Sequence, residues 1–383
     1  MNVYFDNAAT TPLRPEVIAT MHTALNESFG NPSSTHTYGR HTRAQIESAR
    51  KEIAAHFNAH PYEIVFTSGG TESDNALLRC AVEDLAVTTI ISSEIEHHAI
   101  LHTLDYLAQK GCKIVYLPVD HQGKIDYDQL DLELGKNNEK KLVTLMHINN
   151  EIGTLLDLER VANACQQHDA LFHTDAVQGV GHYAIDLSAI PIDFMSAAAH
   201  KFHGPKGIGF SFIRKNSGLN SFLLGGGQER GHRAGTESVH NILGMARALS
   251  MAYEHLEEER AYILTLKKYA IERLRSIFPK VHFNGCCSDH SQSTYTLLNV
   301  CLPVAPEQSG LLDFQLDLKG IACSKGSACQ SGSTKGSHVI RAIQCESRAQ
   351  RPSLRFSFSM FNTKEEIDYL MDVLSEFTPV SVS

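Results

Sequence analysis

Lys201 is the residue whose type and surroundings best suit covalent chemistry. With His200, it follows the apolar strand pattern 193–197 and precedes the glycine-containing turn 204–207. Burial disfavours the charged form of an amine, so a lysine at the end of a buried strand could attack a carbonyl group and form a Schiff base. The alternative is a solvated lysine in a surface loop, and this segment by itself leaves both open.

A glycine-rich turn at residues 67–72 could bind an anion. It reads Thr-Ser-Gly-Gly-Thr-Glu, follows an apolar run and opens a helical pattern at Ser73. Glycines let backbone N–H groups approach an anion closely, and the positive end of the helix dipole strengthens the attraction. The turn lacks the sequence of a nucleotide-binding P-loop. It therefore indicates either a phosphate cradle or an ordinary strand-to-helix turn.

Two further apolar runs end in polar side chains. Asp175 ends one of them and is followed three residues later by Gln178, and Asn150 ends another. Each residue alone is more often a helix cap or a turn residue. The carboxyl ends of parallel strands meet in one crevice. We therefore expect Asn150 and Asp175 to join Thr71 and Lys201 in a single binding site.

Three histidines, His97, His98 and His102, lie close together in the chain. They invite a metal interpretation, but adjacent side chains rarely bind the same ion, and we predict no metal site. A better use for one of these rings is to stack on an aromatic ligand.

Cys329 lies in a segment that is rich in small residues. From Lys325 to Ser337, seven of 13 residues are Gly or Ser, which predicts a flexible and exposed loop. An accessible thiol near lysines can have a lowered pKa, as a reactive cysteine needs. The alternatives are a disulfide or a pair of metal ligands formed with Cys323.

Arg355 lies within the apolar strand pattern 353–357. A guanidinium group is costly there unless it is paired, and a substrate carboxylate could bind it through two parallel hydrogen bonds. The alternative is a structural ion pair with Asp or Glu.

The composition of the 383 residues favours a globular protein of the cytoplasm. Thirty-four basic and 43 acidic residues give a net charge of -9, which opposes binding to nucleic acid or to an anionic membrane surface. No apolar run reaches the roughly 18 residues of a transmembrane helix, and the first residues lack a signal-peptide pattern. The nine cysteines have no short regular spacing, which indicates reduced thiols.

Short apolar runs alternate with amphipathic helical patterns through the first two thirds of the chain, for example 112–117, 141–148 and 170–174 with 98–110 and 158–167. This alternation indicates βαβ units and a mainly parallel sheet, and therefore an α/β fold.

A long helical segment from Asn241 to Phe278 follows, and an α+β pattern comes after it. We predict a large domain over residues 16–255 and a small C-terminal domain over residues 256–383 that carries the Cys329 loop. Residues 1–15 form an N-terminal segment that packs on the small domain. The charged run 257–260 within the helix is expected to face solvent.

These segments together resemble the cysteine desulfurases of the class V aminotransferase group over nearly the whole chain. The matching motifs follow one another in the family's order: 6–12, 30–34, 67–75, 96–98, 147–153, 175–178, 200–207, 225–237, 326–329 and 354–357. Gly-Ser-Ala-Cys on a long loop is similar to the branch of the family that serves iron–sulfur cluster assembly.

The resemblance implies the fold-type I architecture of enzymes that use pyridoxal 5'-phosphate (PLP), with a mainly parallel seven-stranded sheet and a smaller α+β C-terminal domain, in a homodimer. Lys201 would carry PLP as a Schiff base, and His97 would stack on its ring. Asp175 would pair with the ring nitrogen and Gln178 would contact the phenolic oxygen. Asn150 would support the ring and the substrate.

The resemblance assigns the phosphate and the substrate carboxylate in the same way. The turn Gly70-Thr71-Glu72 and His200 would bind the phosphate, and Thr236 would reach the phosphate of the neighbouring subunit. Arg355, helped by Asn31, would hold the carboxylate of L-cysteine.

The implied reaction converts L-cysteine to L-alanine. Lys201 or His97 would move the α-proton, and the Cys329 thiolate would attack the substrate sulfur and become a persulfide. The sulfur would then pass to an acceptor protein or an iron–sulfur scaffold protein. Two alternatives are another PLP-dependent lyase or aminotransferase of the group, and a catalytically silent subunit that binds a sulfur-transfer partner.

One position departs from the family pattern. The family usually has a serine that donates to the phosphate two residues before the His of the His-Lys pair, and this chain has Ala198 there. Loss of a hydrogen bond to a charged group weakens binding by about 1.5–3 kcal/mol, so looser cofactor retention is expected.

Overall fold

A computed structural model describes residues 1–137, 139–304, 312–325, 336–344 and 351–377. The strands are β1 (Val3–Tyr4), β2 (Ile64–Thr67), β3 (Thr89–Ser93), β4 (Lys113–Leu117), β5 (Lys141–Thr144), β6 (Leu171–Asp175), β7 (Phe194–Ala198), β8 (Gly209–Ile213), β9 (His282–Phe283), β10 (Leu297–Cys301), β11 (Ile321–Ala322) and β12 (Ser353–Ser357). The helices are α1 (Pro15–Glu27), α2 (Thr37–Ala55), α3 (Gly70–Asp84), α4 (His98–Gln109), α5 (Tyr127–Gly135), α6 (Leu158–Gln167), α7 (Val239–Glu254), α8 (Leu256–Ile277), α9 (Leu312–Leu318), α10 (His338–Ile343) and α11 (Lys364–Ser375).

Seven strands form the central sheet in the order β2-β8-β7-β6-β5-β3-β4. The pairs from β7 through β6, β5 and β3 to β4 are parallel, whereas β8 runs antiparallel to both β7 and β2. Two antiparallel steps leave β2 parallel to β7, so the carboxyl ends of β2, β3, β5, β6 and β7 lie at one edge. The predicted α/β fold with a mainly parallel seven-stranded sheet is confirmed.

Helices cover both faces of this sheet because its strands are apolar on both faces. On one face, Phe172 and Phe210 pack in a core that includes Ile46 of α2 and Ile242 of α7. On the other face, Phe194 and further strand residues pack with α3 and α4. The result is a three-layer sandwich whose middle layer is the sheet.

The C-terminal part has its own core. Strands β9, β10 and β12 form a three-stranded antiparallel sheet, which packs with residues of α8 and α11. Strand β1 pairs in parallel with β11, and the Phe5 ring contacts Phe356 and Phe358. The first residues of the chain thus pack on the C-terminal part, while the division at residues 15 and 255 stays a prediction.

Two details of the predicted elements differ. The segment predicted as one long helix is two helices, α7 and α8, which meet at His255 with φ -107° and ψ 12°. Glu259 was expected to face solvent, but it accepts from the buried Arg14 at 2.8 Å and so joins α8 to the start of α1. Among the helices in the described ranges, none is long and apolar enough to cross a membrane.

Candidate active site

The carboxyl edge of the central sheet holds a cavity of about 220 Å³. Nine of the predicted site residues line it: Gly70, Thr71, His97, Asn150, Asp175, Gln178, His200, Lys201 and Arg355. They follow β2, β3, β5, β6 and β7, and Arg355 comes from β12. The convergence expected from the strand ends therefore occurs.

Lys201 reaches the cavity through a short 3₁₀ turn, 199–201, that follows β7. Its Nζ donates to the carbonyl oxygens of Ala8 at 2.6 Å and Ala9 at 2.9 Å. The amine is thus held against the N-terminal segment within the cavity, and the interpretation of Lys201 as a solvated loop residue is wrong.

The turn after β2 has the backbone geometry of an anion site. Gly69 has φ +150°, which L side chains rarely adopt, and a Cβ on Gly70 would lie 2.6 Å from Cγ2 of Val177. The φ angle favours glycine at position 69, and a side chain at position 70 would need Val177 to move. The first N–H groups of α3 have no acceptor within the helix, and Thr71 presents its side chain beside them. A phosphate group fits this turn.

His97 caps the N-terminus of α4, where its Nδ1 accepts a hydrogen bond from the Ala99 N–H at 3.1 Å. Burial, and then the charge of Lys201, lowers the pKa of His97 to about 4. The ring is therefore neutral at pH 7 and carries its proton on Nε2. A neutral imidazole is suited to stacking, but with both nitrogens occupied it is a poor proton acceptor, so the choice between Lys201 and His97 as the base favours Lys201.

Asp175 ends β6 and accepts from the Val177 N–H at 2.9 Å. Burial raises the pKa of Asp175 to about 6. The fully buried Asp74 of α3 lies beside it, and ligand atoms of Asp74, Asp175 and His97 are all within 4.8 Å of one another. Burial and the nearby Asp175 raise the pKa of Asp74. Because two neighbouring carboxylates repel each other, Asp74 holds its proton more strongly than an isolated acid does.

Sequence reasoning missed Asp74. It lies one helical turn after Gly70, and that spacing puts both residues on one face of α3. The same three ligand-type side chains are close enough to hold a metal ion. The role predicted for Asp175 is a different one, because a buried carboxylate can also pair with the protonated nitrogen of an organic ring.

Arg355 is buried within β12 and lines the cavity. Its guanidinium donates to the Asn150 carbonyl oxygen at 2.7 Å and to Asp6 Oδ1 at 2.8 Å. The structural ion pair considered for this residue thus exists. The buried Nε of Arg355 has no hydrogen-bond partner among the described residues. The side chain therefore keeps donor capacity for a ligand.

Three of the predicted site residues in the described part of the chain do not line the cavity: Asn31, Glu72 and Thr236. The Glu72 carboxylate accepts from Arg233 Nε at 2.8 Å and from the Ser68 N–H at 2.9 Å, so it holds another loop. Asn31 is exposed, and its Oδ1 accepts from the Ser33 N–H at 2.9 Å. The roles given to Glu72 and Asn31 stay predictions that these contacts do not support.

Thr236 is exposed and lines a neighbouring cavity with Ser68 and Glu237. Because it lies away from the Lys201 cavity of its own chain, only the predicted contact with a second subunit would give it a role in cofactor binding.

Cys329 lies outside the described residues, but the segments on either side of it are described. Before it, Ser324 pairs with Arg355, whose N–H donates to the Ser324 carbonyl at 2.6 Å. After it, the Ser337 hydroxyl donates to Glu151. Cys323 carries a free thiol, and burial raises its pKa to about 12, so it is un-ionised at neutral pH. The alternatives that pair Cys323 with Cys329 involve a residue outside the described ranges and stay open.

Comparison with known proteins assigns this geometry to a class. The family model for aminotransferase class-V matches residues 3–370. The chain belongs to this family, whose members depend on PLP. Lys201, the glycine turn and the buried acid fit that cofactor.

Within the family the chain belongs to the cysteine desulfurases of the IscS type. The cysteine desulfurase IscS of Dictyoglomus turgidum is 41% identical over 374 residues, which cover 97% of this chain and 93% of that one. The cysteine desulfurase IscS of Methanosarcina thermophila is 40% identical over 380 residues, covering 98% and 91%.

Solved structures agree with this assignment. A NifS-like protein superposes with a TM-score of 0.89 at 35% identity, covering 98% of this chain and 99% of that one. A structure of SspA in complex with cysteine has a TM-score of 0.82 at 31% identity, covering 94% and 100%.

Proposed function

We propose that the protein converts L-cysteine to L-alanine with PLP and leaves the sulfur as a persulfide on Cys329. One observation carries this proposal: Lys201, the phosphate turn and Asp175 meet in a cavity whose wall includes Arg355, and Ser324, five residues before Cys329, pairs with that same arginine.

Different residues of the cavity would bind different parts of PLP. Lys201 would hold it covalently, the turn around Thr71 with His200 would bind its phosphate, and Asp175 would pair with its ring nitrogen. PLP supplies an electron sink that stabilises negative charge at the substrate α-carbon. Asp175, with a pKa of about 6, is largely ionised at pH 7 and so would favour the protonated ring nitrogen.

Arg355 and Lys201 would act on the substrate. The arginine would bind the carboxylate through the donors that Asp6 and Asn150 leave, and this fixes the α-carbon relative to Lys201. The released Lys201 amine would take the α-proton, because the neutral His97 already uses both ring nitrogens. His97 would then orient the ring.

Cys329 would accept the sulfur. It lies five residues after Ser324, the residue that pairs with Arg355, so at most about 18 Å of chain separates the Cα atoms of Ser324 and Cys329. Its thiolate would attack the substrate sulfur, the C–S bond of the substrate would break, and the persulfide would remain on Cys329. An acceptor or iron–sulfur scaffold protein would then receive this sulfur.

We propose a homodimer as the working form. Leu223 and Leu224, in the chain leading to Thr236, are 45% and 86% exposed. Exposed apolar residues of this size beside a site residue suit the surface of a second subunit.

The test is alanine production from L-cysteine by the PLP-supplemented protein with a reducing thiol. Wild type and a Cys112→Ala control, which removes a buried thiol, should release alanine, and Cys329→Ser should release none. Alanine from Cys329→Ser at the wild-type rate would instead indicate a lyase. No alanine from any of the three, with PLP bound, would contradict the proposed function.

A further inference from the structure

The loop that carries Thr236, residues 225–237, is attached to the free edge of the central sheet. Strand β2 is the last strand on that side. On its open edge, the Ile64 carbonyl accepts from Arg50 Nη1 at 2.7 Å and the Phe66 N–H donates to Glu229 Oε2 at 2.8 Å. Two side chains thus take the place of a neighbouring strand and protect the edge.

Arg50 of α2 and Glu229 of the loop also bind each other. Nη1 donates to Oε2 at 2.7 Å and Nη2 donates to Oε1 at 2.8 Å, and both residues are buried. The guanidinium carbon lies 4.4 Å from the centre of the Phe66 ring. A bidentate pair fixes both the position and the orientation of its partners, so the Glu229 backbone has one allowed place.

The loop is strained where the ion pair holds it. Glu229 has φ 44° and ψ 39°, and Arg230 has φ 56° and ψ 28°. Two consecutive residues other than glycine in the left-handed region are unfavourable and persist only where surrounding contacts enforce them. The Arg50–Glu229 pair provides that enforcement.

A second contact holds the far side of the loop. Arg233 donates to Glu72 through Nε at 2.8 Å and Nη2 at 3.3 Å. Glu72 follows Thr71 in the phosphate turn of the same chain. Between these two anchors and α7, Thr236 is left exposed.

From this geometry we propose that Arg50 and Glu229 are positioning residues for the cofactor site of the neighbouring subunit. They hold the strained loop so that Thr236 points outward to the PLP phosphate bound by the other chain. The inference rests on the proposed function, because it needs PLP and a dimer. It gives a role in the cofactor site to a buried ion pair and a strained backbone that do not line the Lys201 cavity of their own chain.

The first experiment is a double-mutant cycle on the PLP dissociation constant, followed by the absorbance of the lysine-bound cofactor. Arg50→Met and Thr236→Ala should each weaken PLP binding roughly 10- to 100-fold, the loss of one hydrogen bond to a charged group. The double variant should bind no more weakly than Thr236→Ala alone. Fully additive effects, or wild-type binding by Arg50→Met, would overturn the proposal.

Arg230→Gly is the matched control, because it relieves the backbone strain at residue 230 and leaves the Arg50–Glu229 pair intact. It removes the Arg230–Glu47 pair, whose side chains are more than a third exposed. It should bind PLP as wild type does, and weakening equal to that of Arg50→Met would count against the ion pair. Should Arg50→Met fail to fold, Glu229→Gln, which keeps the side-chain shape, takes its place with the same expected result.

Mixed dimers separate positioning from a general structural role. In a dimer of one Arg50→Met chain and one Lys201→Ala chain, the Arg50→Met chain supplies an intact Lys201 cavity. The Lys201→Ala chain supplies the intact loop that would reach this cavity. That cavity should bind PLP with wild-type affinity, although neither parent homodimer does. Mixed dimers as weak as Arg50→Met homodimers would refute action across the interface. If the wild-type protein binds no PLP, the proposed function is overturned as well. If the wild-type protein binds PLP and the variants behave otherwise than expected, only this inference is overturned.

Discussion

Burial shifts the pKa values of acidic and basic side chains in the cavity in opposite directions. It raises the pKa of Asp175 to about 6 and lowers the pKa of His97 and of His200 to about 4. At neutral pH the imidazoles are uncharged while Asp175 can still ionise. The cavity therefore offers one carboxylate for a protonated ring nitrogen and neutral rings around it.

Ala198→Ser should tighten PLP binding. Ala198 lines the cavity at the end of β7, close to the phosphate turn, and a hydroxyl there would add a donor to the phosphate. The expected gain is about 1.5–3 kcal/mol, or roughly 10- to 100-fold in the dissociation constant. The measurement is a PLP titration of both apo-proteins.

The thermal midpoint without PLP serves as the control, since it should change little if the new hydroxyl acts on the cofactor. An unchanged PLP affinity would show that other donors already saturate the phosphate.

The sequence predicted the cavity residues that end strands, because strand ends converge in any parallel sheet. It could not predict which partner each polar side chain binds. Glu72 lies next to Thr71, yet its carboxylate binds Arg233, a residue 161 positions away. Asp74 was missed because a buried carboxyl group near Asp175 leaves no pattern of its own in the sequence.

At the scale of elements, apolar patterns located the strands and helices within a few residues, whereas breaks in the elements depended on tertiary contacts. The run 141–148 was expected as one strand, but β5 ends at Thr144, and the chain after it brings Met146, Ile148 and Asn150 to the wall of the cavity. The N-terminus of α11, in contrast, carries a local signal in the sequence, because Thr363 precedes two acidic residues of the first turn and can cap the helix. Thr363 accepts from the Glu366 N–H, and Glu366 accepts in return from the Thr363 N–H.

Thr363→Ala should destabilise the protein by about 1 kcal/mol, the usual effect of removing an N-cap hydroxyl. Helix α11 packs in the C-terminal core, so the loss should appear as a lower midpoint of denaturant unfolding. Thr363→Ser keeps the hydroxyl and should restore most of the stability. Equal losses in both variants would show that the methyl group, and not the cap, was responsible.

At the scale of the whole molecule, the site joins distant parts of the chain. Asp6 and Ala8 come from the N-terminal segment, Lys201 from the central sheet and Arg355 from the C-terminal part. Among the described histidines that are buried or half-buried in this assembly, five have strongly lowered pKa values: His97, His147, His173, His200 and His203. Burial lowers the pKa of four of them to about 4 and that of His173 to about 3.

These histidines should make the protein sensitive to acid. Between about pH 6.5 and pH 4 the unfolded chain binds protons at these positions and the folded chain does not, so their contribution to stability is lost as the pH falls. Each proton that is taken up on unfolding adds about 1.4 kcal/mol per pH unit to the slope of the free energy of unfolding against pH. Glu96 acts in the opposite direction: burial raises its pKa to about 8, so its contribution is lost as the pH rises from about 4.5 to 8.

His173→Gln tests this balance at one position. His173 lies between the hydroxyls of Thr144 at 2.8 Å and Ser196 at 3.1 Å, and glutamine can bond to both without taking up a proton. The measurement is the free energy of unfolding of the apo-protein, followed by circular dichroism because the chain has no tryptophan. Below pH 6.5 this free energy should fall less steeply in His173→Gln than in wild type, by about 1.4 kcal/mol per pH unit, the slope that one proton contributes. Parallel curves for wild type and His173→Gln would mean that His173 does not contribute to the acid sensitivity, whatever the variant's stability at neutral pH.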